Sequence, residues 1–300
     1  MKILILGRDG QVGQALQPAL RPLGEVTALG RAEADLEQPG ELPRLVASHA
    51  PEIIVNAAAY TAVDKAETEP ERARLVNAES VAMLAAAARR SGAWLVHFST
   101  DYVFDGTKSV PYVETDNPNP LSVYGATKHK GDLEIAESGC RHLIFRISWV
   151  YAKGHANFPA TILRLARERS ALSVVADQVG APTSAALIAA VTATAVRRIA
   201  SDPNAEGLSG VYHLAAAGEV SRCDFAKFLV TEALARGMSL ALRPDAITPV
   251  AATEYPTPAK RPLNSRFDTN KLRQAFGIDL PPWQEGARQW VAETAREAST

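Results

Sequence analysis

The chain has 300 residues, 47% of them hydrophobic, and 32 Lys and Arg against 33 Asp and Glu leave a formal net charge of -1. That is ordinary globular composition, long enough for two domains or one large α/β unit, so a disordered chain is excluded. Near-neutrality supplies no electrostatic footprint for nucleic acid or an anionic membrane. Cys140 and Cys223 fit neither a disulfide framework nor a zinc site, and no apolar run approaches the roughly 18 residues of a membrane span, so a cytoplasmic location is expected.

Short apolar runs at 2–6, 25–29, 52–56, 94–99 and 142–150 read as buried strands, and amphipathic stretches at 11–20, 40–48, 71–91 and 122–137 read as helices between them. Strands alternating with helices predict an α/β fold of the Rossmann type, a doubly wound parallel sheet covered on both faces. Beyond residue 150 the rhythm loosens. Helices are expected at 157–169, 185–200, 222–236 and 283–296, strands at 172–176 and 210–214, and a proline-rich loop at 244–262. The expected organisation is a regular half over 1–150, with the strand and helix around 172–200 returning to it, and a smaller, less regular half over 151–300.

The first strand runs directly into Gly7-Arg8-Asp9-Gly10-Gln11-Val12-Gly13 and then a helix. Such a turn leaves N–H groups free at a helix N-terminus, where the dipole favours a pyrophosphate, and its missing side chains allow close approach. The same glycines would also cap an ordinary helix; their place after an N-terminal strand favours a dinucleotide. The second strand ends without an acid, so Arg31, with Arg8, is positioned for a 2′-phosphate, which favours NADPH over NADH, while Asp35 remains available to the ribose or adenine side. Small residues at the end of the third strand, Ala57 to Ala59, then Tyr60 and Thr61, suit a flat ligand lying against the backbone.

Tyr124 and Lys128 are four residues apart, on one face of a predicted helix, and the fourth strand ends at Ser99-Thr100-Asp101. A strand-tip hydroxyl and a helical phenol on the ligand edge of one sheet predict a carbonyl reduction. Tyr124 donates a proton, Lys128 draws the phenol toward neutrality, and Thr100 orients the carbonyl. His97, inside an apolar strand, reads as core, and His129 as facing away from Lys128.

These features in this order resemble the extended short-chain dehydrogenase/reductase family. The strings 56–67 (NAAAYTAVDKAE), 99–104 (STDYVF), 146–151 (RISWVY), 177–183 (DQVGAPT) and 261–266 (RPLNSR) resemble, more narrowly, its dTDP-4-dehydrorhamnose reductase members over nearly the whole chain. The resemblance implies NAD(P)H-dependent reduction of the 4-keto group of dTDP-4-dehydro-β-L-rhamnose, with Tyr124, Lys128 and Thr100 catalytic and Thr100, Asp101 and Trp149 on the sugar nucleotide. It places Gly7, Gly10, Gln11, Val12, Gly13, Arg31, Asp35, Leu36, Ala59, Tyr60, Thr61 and Phe98, with Tyr124 and Lys128, on the cofactor. Some members dimerise through Mg²⁺ held by acidic side chains; here Ala15 and 184–187 (SAAL) offer no acid, so no metal and a monomer or weak homodimer are expected. Related readings are another nucleotide-sugar 4-ketoreductase, an epimerase, or a non-catalytic dinucleotide-binding regulatory subunit. A 4,6-dehydratase is disfavoured because Tyr102 stands where its Thr-Asp-Glu run has Glu.

Overall fold

The computed structural model describes residues 1–298. Five of its strands come in the regular rhythm of the first half: β1 (Lys2–Leu6), β2 (Glu25–Leu29), β3 (Ile53–Asn56), β4 (Trp94–Thr100) and β5 (His142–Ile147). With Gly210–Leu214 they form one parallel sheet in the order Gly210–Leu214, β5, β4, β3, β1, β2. β1 is the pivot: Leu6 pairs with Leu29 of β2 on one side and Asn56 of β3 on the other. The connections therefore diverge on the two sides of β1, and the ends of β1 and β3 open a crevice where ligands of such sheets bind.

The apolar runs work because each strand side is covered. Ile3, Ile5, Val55, Val96 and Phe145 pack under Leu16 and Leu20 of the helix Gln11–Leu20 and under Ile188 and Val196 of Ala185–Ser201. Their neighbours Leu4, Leu6, Ile54, Leu95 and Ile144 point the other way, against Val46, Leu84 and Ile135 of Leu42–His49, Ser80–Ser91 and Val123–Glu137. A separate core holds Leu163, Phe225, Leu229, Trp283 and Trp290 from Phe158–Glu168, Arg222–Ala235 and Trp283–Ala298.

Several boundaries differ from the sequence expectation. Of the 172–200 segment, the helix packs on Gln11–Leu20, but the strand Leu172–Val175 does not join the large sheet; it pairs in parallel with Ile247–Val250, inside the stretch expected to be loop. The strand expected over 142–150 breaks after Ile147. Trp149 takes φ +47°, and Val150–Tyr151 re-pairs with Thr183–Ser184. The helix expected over 71–91 is interrupted by a π-helical turn at Leu75–Glu79, and the short helix Asn270–Phe276 follows no strong sequence period.

Candidate functional site

The glycine turn is built by contacts no side chain could share. Gly7 has φ +87°, and a Cβ there would lie 2.6 Å from Ala58 N; Gly13 would place one 1.9 Å from Gly7 O. The first glycine thus lets β1 meet the end of β3, and the third seats the helix on the turn. Gly10 is the N-cap. It has no capping side chain, the first turn has no acid, and the nearest atom to its missing Cβ is Gly7 O at 3.5 Å. Open helix N–H groups beside an uncrowded glycine fit a pyrophosphate. Gly7, Gly10, Gln11 and Val12 line the crevice; Gly13 does not. Gln11 also ties the turn to the later half, accepting from Ala152 N (2.7 Å) and Asn157 Nδ2 (3.0 Å).

The crevice has a volume of about 960 Å³ and is lined by Arg31, Asp35 and Leu36, by Ala59, Tyr60, Thr61 and Phe98, and by Thr100, Asp101, Tyr124, Lys128 and Trp149. At the outer end Arg31 is paired with Glu37 and lies 3.5 Å from Asp35. Arg72 reaches the same Glu37 (2.7 Å) and Glu69 (3.2 Å), and the Tyr60 hydroxyl donates to Glu69 (2.9 Å). Arg72 is thus a second guanidinium on the wall, missed in the sequence because only folding brings its helix beside residue 37. Arg8 does not line the crevice: it is engaged by Glu33 (3.0 Å) and Asp9 (3.2 Å). The π-helical turn has a use here. It carries buried Asn77, whose side chain accepts from Tyr60 N (2.9 Å) and donates to Tyr60 O (3.1 Å), fixing the wall after β3.

At the inner end Ser122 caps the helix Val123–Glu137 by accepting from Gly125 N (3.2 Å). A Cβ on Gly125 would lie 2.2 Å from Tyr102 O, so only glycine lets this helix close on the turn after β4. That approach brings the Thr100 hydroxyl next to the Tyr124 phenol, and both line the crevice. Thr100 Oγ1 also donates to Asp101 Oδ1 (3.1 Å) and accepts from Tyr102 N (3.2 Å), and the Tyr102 ring meets Tyr124 edge-on at 5.6 Å.

Lys128 is 1% exposed; Nζ donates to Phe98 O (2.7 Å) and lies 3.0 Å from His97 Nε2. Burial pushes the Lys128 ammonium down to about 8. The phenol departs from expectation: instead of being drawn toward neutrality, Tyr124 is pushed above its ordinary value, because loss of solvent around the phenolate outweighs the favourable Thr100 hydrogen bond. His97 is core, as expected, yet also the lysine's partner.

Trp149 closes the far end. Its indole lies against Gly180, where a Cβ would come within 2.8 Å of Cε2, and the Arg222 guanidinium stacks 3.6 Å from its ring centroid. Arg222 and Tyr102 are wall residues that sequence reasoning missed. Tyr102 sits inside the 99–104 string; Arg222 only begins a helix and has no motif. Burial lowers Arg222 to about 10, which leaves it a cation at neutral pH, near the buried Asp101 whose carboxyl burial pushes up. Ala15 packs on the core, and among the described residues no group of three His, Cys, Asp or Glu side chains is placed to hold a metal.

The family described as RmlD substrate binding domain matches residues 1–296. The chain is 48% identical over 297 residues to dTDP-4-dehydrorhamnose reductase of Escherichia coli, covering 98% of each chain. It is 48% identical over 285 residues to the Burkholderia thailandensis protein of the same name, covering 95% of this chain and 96% of that one. Its structure resembles a crystal structure of dTDP-4-dehydrorhamnose reductase from Bacillus anthracis in complex with NADP, with a TM-score of 0.87 and 34% identity over 97% of this chain and 99% of that one. Because these matches run end to end, across the glycine turn, the Thr100–Tyr124–Lys128 cluster and the Trp149 wall alike, the chain belongs to the dTDP-4-dehydrorhamnose reductase family.

Proposed function

We propose that this protein reduces the 4-keto group of dTDP-4-dehydro-β-L-rhamnose to give dTDP-L-rhamnose, with NADPH as the preferred reductant and NADH as a possible substitute. The carrying observation is the meeting of Thr100, Tyr124 and Lys128 at the inner end of a crevice that an uncapped glycine turn also lines. The reduced nicotinamide, when bound, supplies the hydride. Gly7, Gly10, Gln11 and Val12 hold the pyrophosphate, and Arg31 with Arg72 faces the adenosine end. Tyr124, whose phenol burial keeps above its ordinary value, is protonated at neutral pH, the form a proton donor needs. It gives that proton to the oxygen at C4, while the Thr100 hydroxyl hydrogen-bonds the same oxygen and aims the carbonyl. Trp149, Arg222 and Asp101 wall the sugar-nucleotide end: a flat apolar face, a cation for an anionic group and a carboxyl for hydroxyls.

In this reading residues 1–150 carry the dinucleotide and the proton donor, and most of 151–300 closes over the sugar nucleotide. The protein acts as a monomer or weak homodimer in the cytoplasm. Loss of NADPH absorbance is followed with dTDP-4-dehydrorhamnose and with a UDP-linked keto sugar, then repeated with NADH. Stoichiometric oxidation with the dTDP sugar, faster with NADPH, is expected. A protein that is purified with tightly held nucleotide and consumes none would instead be an epimerase or a regulatory subunit.

A further inference from the structure

At the adenosine end of the crevice two guanidiniums converge on one carboxylate. Glu37 Oε1 accepts from Arg72 Nε (2.8 Å) and Nη2 (2.7 Å) and also from Arg31 Nη2, and all three side chains line the crevice beside Asp35 and Tyr60. The arginines come from distant segments: Arg31 follows β2, and Arg72 stands on the short helix Pro70–Arg74. Each touches a second acid, with Asp35 3.5 Å from Arg31 Nε and Glu69 3.2 Å from Arg72 Nη1. Those two acids are tied elsewhere. Glu69 accepts from the Tyr60 hydroxyl (2.9 Å) and pairs with Lys65 (2.7 Å), and Asp35 accepts from Glu37 N (3.0 Å). Glu37 is different: it lies on the turn between β2 and Leu42–His49, and its side chain, 28% exposed, is held by the two guanidiniums. Turning that side chain outward disturbs no strand or helix.

A dinucleotide site commonly holds either an acid, which accepts from the adenosine ribose 2′-hydroxyl, or an arginine, which pairs with a 2′-phosphate. Here one end holds both, already bonded to each other. A carboxylate and a phosphate monoester make the same demand on a guanidinium, N–H donors aimed at charged oxygens. We propose that Glu37 is a specificity-determining residue of the cofactor site, an internal stand-in for the 2′-phosphate that narrows the preference for NADPH over NADH. With the unphosphorylated nucleotide Glu37 stays on the arginines, and Oε2 is left to accept from a ribose hydroxyl. With the phosphorylated nucleotide it must give up Arg31 and Arg72, and breaking those pairs offsets part of their attraction for the phosphate. Around this end Arg31, Lys65 and Arg72 face Asp35, Glu37 and Glu69, so the charges cancel until Glu37 turns away.

The proposal rests on the reductase reading for the class of cofactor, but its test needs neither sugar nor turnover. Binding of adenosine 2′,5′-bisphosphate and of adenosine 5′-monophosphate is measured by calorimetry on the parent, on Glu37→Gln, on Arg72→Gln and on the double variant. Glu37→Gln keeps an oxygen that accepts from the arginines and from a ribose hydroxyl, and removes the charge. The bisphosphate is expected to bind about 5- to 10-fold more tightly to it than to the parent, with the monophosphate unchanged. Arg72→Gln should weaken the bisphosphate alone. Its effect should be larger in the Glu37→Gln background, because there the arginine has no ion pair to give up. An unchanged ratio of the two affinities in Glu37→Gln overturns the proposal, whether both probes bind as in the parent or both weaken together. Strictly additive effects in the double variant overturn it as well, since competition for Arg72 requires coupling. If neither probe binds the parent, the dinucleotide reading itself fails and the proposal falls with it; if both bind and their ratio stays fixed, the proposal alone fails.

Discussion

Tyr124→Phe removes one oxygen atom, and the structure separates what that does to turnover from what it does to the fold. The phenol's polar neighbour is Thr100, whose hydroxyl has its own partners, Asp101 Oδ1 at 3.1 Å and Tyr102 N at 3.2 Å. No buried polar group is therefore orphaned, and the stability change is held to about 1 kcal/mol, the net worth of one ordinary hydrogen bond. The phenylalanine ring keeps the edge-on contact with Tyr102. Turnover loses its proton donor. A positioned general acid contributes roughly 10²- to 10⁴-fold, equivalent to about 2.7–5.4 kcal/mol of barrier. The assay is steady-state oxidation of NADPH by the keto sugar, alongside direct binding of NADPH and thermal unfolding. The expected outcome is kcat down at least about 100-fold, with NADPH affinity and melting temperature close to the parent's. If turnover persists within a few-fold of the parent, Tyr124 is not the donor. If turnover is lost together with several kcal/mol of stability, the effect is structural and the reasoning fails.

The buried lysine gives a pH signature. Its folded value of about 8 lies below the ordinary 10.5, so the unfolded chain binds the extra proton between those limits and stability rises with pH across that window. Relative to Lys128→Met, the parent should carry a deficit of order 3 kcal/mol below pH 8, which fades as the pH approaches 10.5; a flat difference in denaturant unfolding would contradict it. Asp132→Asn leaves the Arg146 guanidinium, only 5% exposed, without its counter-charge at 3.3 Å. That should cost about 3–5 kcal/mol, a drop on the order of 6–15 °C in melting temperature, and the apolar double variant Asp132→Leu/Arg146→Met should recover much of it. Gly180→Ala places a methyl 2.8 Å from the Trp149 ring, on which the Arg222 guanidinium is also stacked. The indole must shift, so KM for the sugar nucleotide is expected to rise several-fold while NADPH affinity stays unchanged; an unaltered KM would remove Trp149 from the substrate wall.

What the sequence determined by itself was everything local. Apolar runs of strand length, buried on both faces, implied a covered parallel sheet, and the glycine turn following β1 was legible because φ +87° at Gly7 and a helix seated on Gly13 demand residues without side chains. The four-residue spacing of Tyr124 and Lys128 placed them on one helical face, and ordered strings carried the family. Tertiary structure decided what depends on distant segments meeting. Arg72 and Arg222 reach the crevice from positions without a motif, Arg8 is diverted by Glu33, and the strand over 142–150 breaks because Trp149 takes a left-handed conformation and the chain re-pairs with Thr183–Ser184. His97 is the clearest case. Its apolar surroundings read correctly as core, but its partner lies 31 residues away on a helix, and its other ring nitrogen lies 3.2 Å from the Asn56 amide at the end of another strand. Periodicity reports which face of an element is buried; it carries no information about which polar groups are buried together, and in this crevice that shared burial is what shifts the titration of Lys128 and Tyr124.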